Sequence, residues 1–215
     1  MVSLSGRSQA LEFRRRRGVN QPAARDMVSE RKREIISVAS SLIRRQGYAA
    51  VTMRTLAQEV GVKAASLYNH ITSKQEILAH IILGVAQSFT EGMAVAKAMD
   101  AQPLDKIKQL ISLHIEITIQ QTSDMEVMQN NWMYLEGESM AQYKQSRNQY
   151  EADLRQIISA GIVDGSIRNV NPELLIYSLL SPLRYLYVWF PRQKTLDAEQ
   201  LKDELASVLL GGIEN

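Results

Sequence analysis

Residues 52–78 read TMRTLAQEVGVKAASLYNHITSKQEIL, and the spacing of their apolar positions decides the fold. Leu56, Ala57 and Val60 stand at i, i+1 and i+4, which puts one apolar face on a short helix with Thr52 as its N-cap. Gly61 ends that helix, because the residue after a helix usually enters the left-handed conformation, where glycine has no Cβ to clash. Val62 and Leu67 give a second short helix its inward face, leaving Lys63, Ala64, Ala65, Ser66, Tyr68 and Asn69 to point outward. Its small-residue start allows close approach to base edges in a DNA groove. Ser73 followed by Glu76 predicts a capping box opening a further helix. Helix, tight turn, helix and a freshly capped third helix make a helix-turn-helix.

These residues also resemble the TetR-type bacterial transcriptional regulators. The likeness lies on Gly47 and Tyr48, Thr52-Met53-Arg54, Leu56-Ala57, Val60-Gly61-Val62, Leu67 to Ile71 and Ser73 to Leu78, within a span from Arg31 to Ile82. Ile71 and Thr72 depart from it, standing where the family more often has an aromatic residue and a proline. The resemblance implies an all-α chain: an N-terminal three-helix helix-turn-helix DNA-binding domain, then a larger helical domain for effector binding and dimerisation. It also implies phosphate contacts from Lys74 and the Tyr68 hydroxyl. Thr52, Arg54 and His70 are further phosphate candidates by position, His70 reading equally as a packing histidine at the end of the recognition helix. Lys63, Ala65, Ser66 and Asn69 are the candidates for base edges.

Outward from this segment the charges separate. The net charge is only +2, yet residues 1–80 hold 14 Lys or Arg against 6 Asp or Glu, and residues 81–215 hold 11 against 17. A basic head on an acidic body is the footprint of a polyanion-binding head. Toward the N-terminus, Ile35, Val38, Ala39 and Leu42 recur at helical spacing, predicting a first helix over 29–46 that holds the two helix-turn-helix helices. Arg44 and Arg45 before Gly47 suit the end of that helix as structural or solvated cations. Residues 1–28, with Arg14 to Arg17 in a row, are expected to be a basic disordered arm. Such an arm either orders on the phosphate backbone or a flanking minor groove, or is only an extension ahead of Met27. The expected domains are therefore 1–28 (arm), 29–76 (DNA-binding) and 77–215 (effector binding and dimerisation).

Toward the C-terminus, Ile77, Leu78, Ile81, Ile82, Val85 and Phe89 continue the capped helix far enough to join head and body, with Gly84 and Gly92 weakening it locally. After a break at Asp100 to Pro103, helices are expected over 104–121, from a Ser123 cap with Glu126, and over 140–161. Leu113, Ile115, Ile117 and Ile119 alternate like a strand, but Leu104, Ile107, Leu110 and Ile111 lead in at helical spacing, so a helix is expected. Asn171-Pro172 opens a helix that Pro182 should kink before Pro191, and Asp197 with Gln200 caps a last one. The strongly apolar character of these two suggests a homodimer interface. That is what a helix-turn-helix needs to read two half-sites of a palindromic double-stranded operator roughly 34 to 36 Å apart.

Met128, Trp132 and Met133, with His114 nearby in pattern, suit the wall of an apolar cavity, and equally an ordinary core. The stretch 184–191, RYLYVWFP, and the helix after it are similar to the C-terminal domains of TetR-type regulators that respond to acyl-CoA thioesters. On this likeness Tyr185, Trp189 and Arg147 join the candidate ligand residues, and an acyl-CoA or similar amphipathic molecule becomes the candidate effector. Arg147, Arg155 and Arg184 read as partners for an acid group or as salt-bridged surface arginines.

No glycine-rich phosphate loop, nucleophile elbow or paired metal-ligand histidines occur, and the chain has 3 histidines and no cysteine, so no enzyme, metal site or cofactor is expected. The longest apolar stretch, 174–190, is interrupted by Ser178, Ser181, Pro182 and Arg184 and is short for a membrane span. The expectation is a cytoplasmic ligand-responsive repressor. The alternative is a constitutive DNA-organising or partner-binding dimer with no effector.

Overall fold

The computed structural model describes residues 24–193 and 197–212. Every regular element among them is helical: α1 (Ala24–Gln46), α2 (Met53–Val60), α3 (Ala64–Leu67), α4 (Lys74–Ala98), α5 (Pro103–Gln120), α6 (Thr122–Asn131), α7 (Gly137–Asp164), α8 (Pro172–Arg184), α9 (Leu186–Trp189) and α10 (Ala198–Leu210). Single 3-10 turns cover Trp132–Tyr134 and Phe190–Arg192. The alternating segment after Leu113 is helical within α5, where Ile107, Leu110, Ile111 and Ile115 are buried. Its lead-in outweighed the local alternation.

The head is built as its pattern requires. Ile35, Ala39 and Leu42 of α1 are buried against Leu56 and Ala57 of α2 and Leu67 of α3. Thr52 caps α2 reciprocally with Thr55, and Gly61 takes a φ of 75°. The apolar cluster of the head runs without a break into α4 and on to Met125, Val127 and Met128 of α6. The expected boundary after residue 76 therefore falls in the first turn of a 25-residue helix. Among the described residues α4 alone is long and apolar enough to cross a membrane, but here it is the central strut, packed on α1, α5, α6 and α7.

A second apolar cluster joins the far end of α4 to α5, α7, α8 and α10. Gly92 contributes something its low helix propensity did not suggest. A Cβ there would lie 2.1 Å from Leu113 Cδ2, so the Leu113 side chain of α5 sits in the space the glycine leaves open.

Several local expectations need correcting. α1 begins at Ala24, not at residue 29, because Ala24, Arg25 and Met27 are good helix formers with no breaker among them; residues 1–23 of the expected arm lie outside the described residues. Ser73 accepts from the Glu76 N–H, but Glu76 does not return the bond to Ser73; its Oε2 takes the Thr72 N–H and hydroxyl, both at 2.7 Å. α6 starts at Thr122, so Ser123 is no cap: the Thr122 hydroxyl bonds back to the Thr118 carbonyl, carrying the chain through a break at Gln121. The expected helix from Asn171 to Phe190 is two helices. Pro182 has no N–H to give, and Tyr185 turns its own N–H onto the Pro182 carbonyl at 3.2 Å, which closes α8.

Candidate DNA-binding head and ligand cavity

The outward residues of the head lie where the sequence puts them. Lys63, Ala64, Ala65, Ser66, Tyr68 and Asn69 are all exposed, while Leu67 between them is fully buried. Arg54 is exposed at the start of α2, and neither it nor Lys63 has a carboxylate partner among the described residues. Several other head cations are paired: Arg45 with Glu59, Arg31 with Glu34, Lys32 with Glu76 at 2.7 Å and Arg44 with Glu126 at 3.8 Å, while Arg33 on α1 is exposed and unpaired among the described residues. Arg54 and Lys63 thus leave free positive charge on the recognition face. His70 is part-buried, and its buried Nδ1 has no partner.

Lys74 is held more firmly than a solvated phosphate clamp. Its ammonium donates to the Tyr48 carbonyl at 2.6 Å and the Val51 carbonyl at 2.9 Å, and sits 4.1 Å from the centre of the Tyr48 ring. Burial lowers its pKa from the ordinary lysine value. Because Val51 precedes Thr52, this side chain fixes the N-terminus of α4 beside that of α2. Two helix starts with their unpaired N–H groups are brought together there, and one N–H of Lys74 stays unspent. At Glu76 burial pushes the carboxyl up, but bonds from Lys32 and Thr72 outweigh it and bring the pKa to about 2.

Among α4, α5, α6, α7 and α8 the body forms a partly open cavity of about 150 Å³. Phe89 and Ala86 come from α4, His114 from α5, Met128 from α6, and Tyr143, Arg147 and Tyr150 from α7, with Trp132 following α6. His114 Nε2 lies 2.9 Å from the Tyr150 hydroxyl, and the Phe89 ring centre is 4.5 Å from that of His114. Burial, with the Arg184 charge adding to it, lowers the His114 pKa to about 3, so the ring is neutral at pH 7. Burial likewise raises the Tyr150 pKa. Arg147 lies 5.6 Å from the Trp132 ring centre. Arg184 donates to Glu151 at 2.9 Å and Arg155 to Glu173 at 2.9 Å, so both are salt-bridged, though Arg184 also lines the cavity.

Four of the seven candidate ligand residues, His114, Met128, Trp132 and Arg147, meet at this cavity. Met133, Tyr185 and Trp189 do not; they are exposed. Met133 lies on the outer side of the 3-10 turn that points Trp132 inward, and the break after α8 swings Tyr185 and Trp189 to the surface. Sequence reasoning missed Phe89, Tyr143 and Tyr150. For two of them a signal existed: Tyr143, Arg147 and Tyr150 stand at i, i+4 and i+7, one stripe on the largely polar first half of α7.

The cavity reaches the head by two routes. One is α4, which carries Phe89 at the cavity and Lys74 at the head. The other is the turn 132–134: Trp132 lines the cavity, while the Tyr134 ring lies 5.4 Å from the Tyr48 ring and its carbonyl accepts from Gln75 at 2.8 Å.

A helix-turn-helix head with free cations on its recognition face, strutted to a helical body that holds a cavity, defines a DNA-binding regulator. Residues 35–81 match the bacterial regulatory proteins of the tetR family, and residues 100–213 match the tetracyclin repressor-like C-terminal domain. The chain belongs to the TetR family of transcriptional regulators, which bind operator DNA as dimers. It is 24% identical over 191 residues, 86% of this chain and 94% of the relative, to the HTH-type transcriptional repressor KstR2 of Mycobacterium tuberculosis (strain ATCC 25618 / H37Rv). The solved structure of ketosteroid transcriptional regulator KstR2 of Mycobacterium tuberculosis superposes with a TM-score of 0.81 at 20% identity, covering 86% of this chain and 95% of that one. AibR in complex with isovaleryl coenzyme A and operator DNA superposes with a TM-score of 0.74 at 25% identity, covering 83% of this chain and 97% of that one.

Proposed function

We propose that this regulator is a cytoplasmic repressor that binds a palindromic operator as a homodimer and is released when a small amphipathic effector fills the α4–α7 cavity. The observation that carries this reading is that the cavity touches α4 itself, through Ala86, Phe89 and Thr90, on the helix whose first turn holds the recognition segment in place. An effector that fits the body better in its non-operator state must weaken DNA binding by the same factor. A constitutive dimer has no need of such a cavity.

Lys63, Ala65, Ser66 and Asn69 read base edges, and Thr52, Arg54, Tyr68, His70 and Lys74 hold phosphates. α8 and α10 supply the dimer face, where Leu174, Tyr177 and Val208 are exposed. For the effector, the likeness to AibR supports an acyl-CoA, and the cavity has room for a short acyl group. A groove between α4 and α7 adjoins it at Thr90 and Ser146. That groove carries Glu76 and Glu136 and no lysine or arginine among its described lining residues, so coenzyme phosphates belong toward Arg147 instead. The test is a gel shift on the protein's own upstream intergenic DNA, repeated with acyl-CoAs of graded chain length. Specific binding relieved by a short member supports the reading; specific binding that none relieves would move the function to the constitutive alternative.

A further inference from the structure

We propose that the His114–Tyr150 pair is the recognition point for a carbonyl oxygen on the molecule the cavity holds. The proposal rests on reading the cavity as the effector site.

His114 is 6% exposed and Tyr150 9%, and both line the cavity. Burial keeps the imidazole neutral and the phenol protonated, so the pair carries one N–H and one O–H. Their mutual contact, 2.9 Å from Nε2 to the hydroxyl, uses one of these hydrogens. If Tyr150 donates, the hydrogen left over is on Nδ1, which is buried without a partner. If His114 donates instead, the Tyr150 O–H is left over, and no other bond is made to it among the described residues. Either tautomer leaves one buried donor unspent.

An orphaned buried donor is rarer and costlier than an under-used acceptor with two lone pairs. When the spare hydrogen is on Nδ1, only a group that moves the ring can reach it. When it is on the Tyr150 hydroxyl, water can serve it while the cavity is wet, but a ligand that displaces the water must replace the bond. A hydrocarbon cannot; a ketone, ester, thioester or amide carbonyl can. Phe89 of α4 stacks at 4.5 Å on the His114 ring, so the oxygen is read directly against the strut to the head. A cavity of about 150 Å³ is the size that holds a benzene-like ring.

The test needs neither coenzyme A nor operator. Binding of cyclohexanone and of methylenecyclohexane, which differ only in having O or CH2 on the ring carbon, is measured by ligand-observed NMR on the full chain and on the double variant His114→Leu/Tyr150→Phe. Taking the ratio cancels the unequal hydration of the two probes. The expected result is a shift of about tenfold in that ratio toward the alkene in the double variant. A ratio unchanged within twofold overturns the proposal, as does failure of cyclohexanone to bind the native protein at millimolar concentration. Should the double variant not fold, the native protein labelled with nitrogen-15 histidine decides. Cyclohexanone must move the ring-nitrogen signals of His114 and methylenecyclohexane must not; equal responses overturn it. Acyl-CoAs that leave the operator complex intact would instead remove the effector class proposed above without touching this ratio.

Discussion

At Lys74 one ammonium holds two carbonyls and faces an aromatic ring, and on the proposed reading its remaining N–H meets a DNA phosphate. Lys74→Met keeps the packing and removes the charge. It should lower thermal stability, since charged hydrogen bonds of this kind contribute about 1–3 kcal/mol, and reduce the salt slope of operator binding by about one unit. Melting curves and affinities between 50 and 200 mM salt separate the two roles; a lower melting point with an unchanged slope would leave Lys74 as a turn lock only. His114 makes a prediction about pH. Its folded pKa, about 3, lies below the ordinary 6.5, so the unfolded chain takes up the proton first. Its contribution is fully present above pH 6.5 and is lost as pH falls toward 3. Urea midpoints at pH 7, 6 and 5 should decline in the native protein and decline less in His114→Leu, and parallel curves would contradict the buried neutral ring.

Among the elements, α4 carries two glycines that the sequence presents as equivalent and the fold does not. Nothing lies within 4 Å of a Cβ built at Gly84, whereas one at Gly92 meets Leu113 at 2.1 Å. Gly84→Ala should therefore stabilise by about 0.4–1 kcal/mol, and Gly92→Ala should destabilise by roughly 1–3 kcal/mol through overpacking. Denaturant melts of both variants check the pair, and the same sign for both would refute this account of the α4–α5 crossing. The contrast shows what was legible. Local grammar, the Thr52 cap, Gly61, the exposed face from Lys63 to Asn69 and the Asp197 cap, could be read because each depends on neighbours in sequence. The cavity was only half legible, because which side of a turn faces inward is set by partners far along the chain. Trp132 and Met133 are adjacent and both large and apolar, yet one lines the cavity and the other is exposed. The turn they share also makes a prediction. Tyr134→Ala removes the ring contact to Tyr48, so ligand should still bind while its release of operator weakens several-fold.

At the scale of the whole molecule, charge and apolar surface divide the work. The basic surplus sits in the first 80 residues, and, apart from Val163 at the end of α7, the large exposed apolar side chains of the C-terminal third gather on the elements that follow α7. Leu174 and Tyr177 lie one turn apart on the outer side of α8, Tyr177 being 72% exposed, and Val208 of α10 is 75% exposed. The inner sides of the same helices bury Leu175, Leu179, Leu201 and Leu210. Helices apolar on both sides have a second partner to cover, and the two-fold pairing of operator half-sites identifies it as another copy of the chain. The double variant Leu174→Glu/Tyr177→Glu places charges where the copies meet and leaves the buried inner side of α8 untouched. It should sediment as a folded monomer. Its operator affinity should fall about 100-fold or more, because the second head is no longer delivered at high effective concentration. A variant that stays dimeric and binds operator normally would place the dimer interface elsewhere.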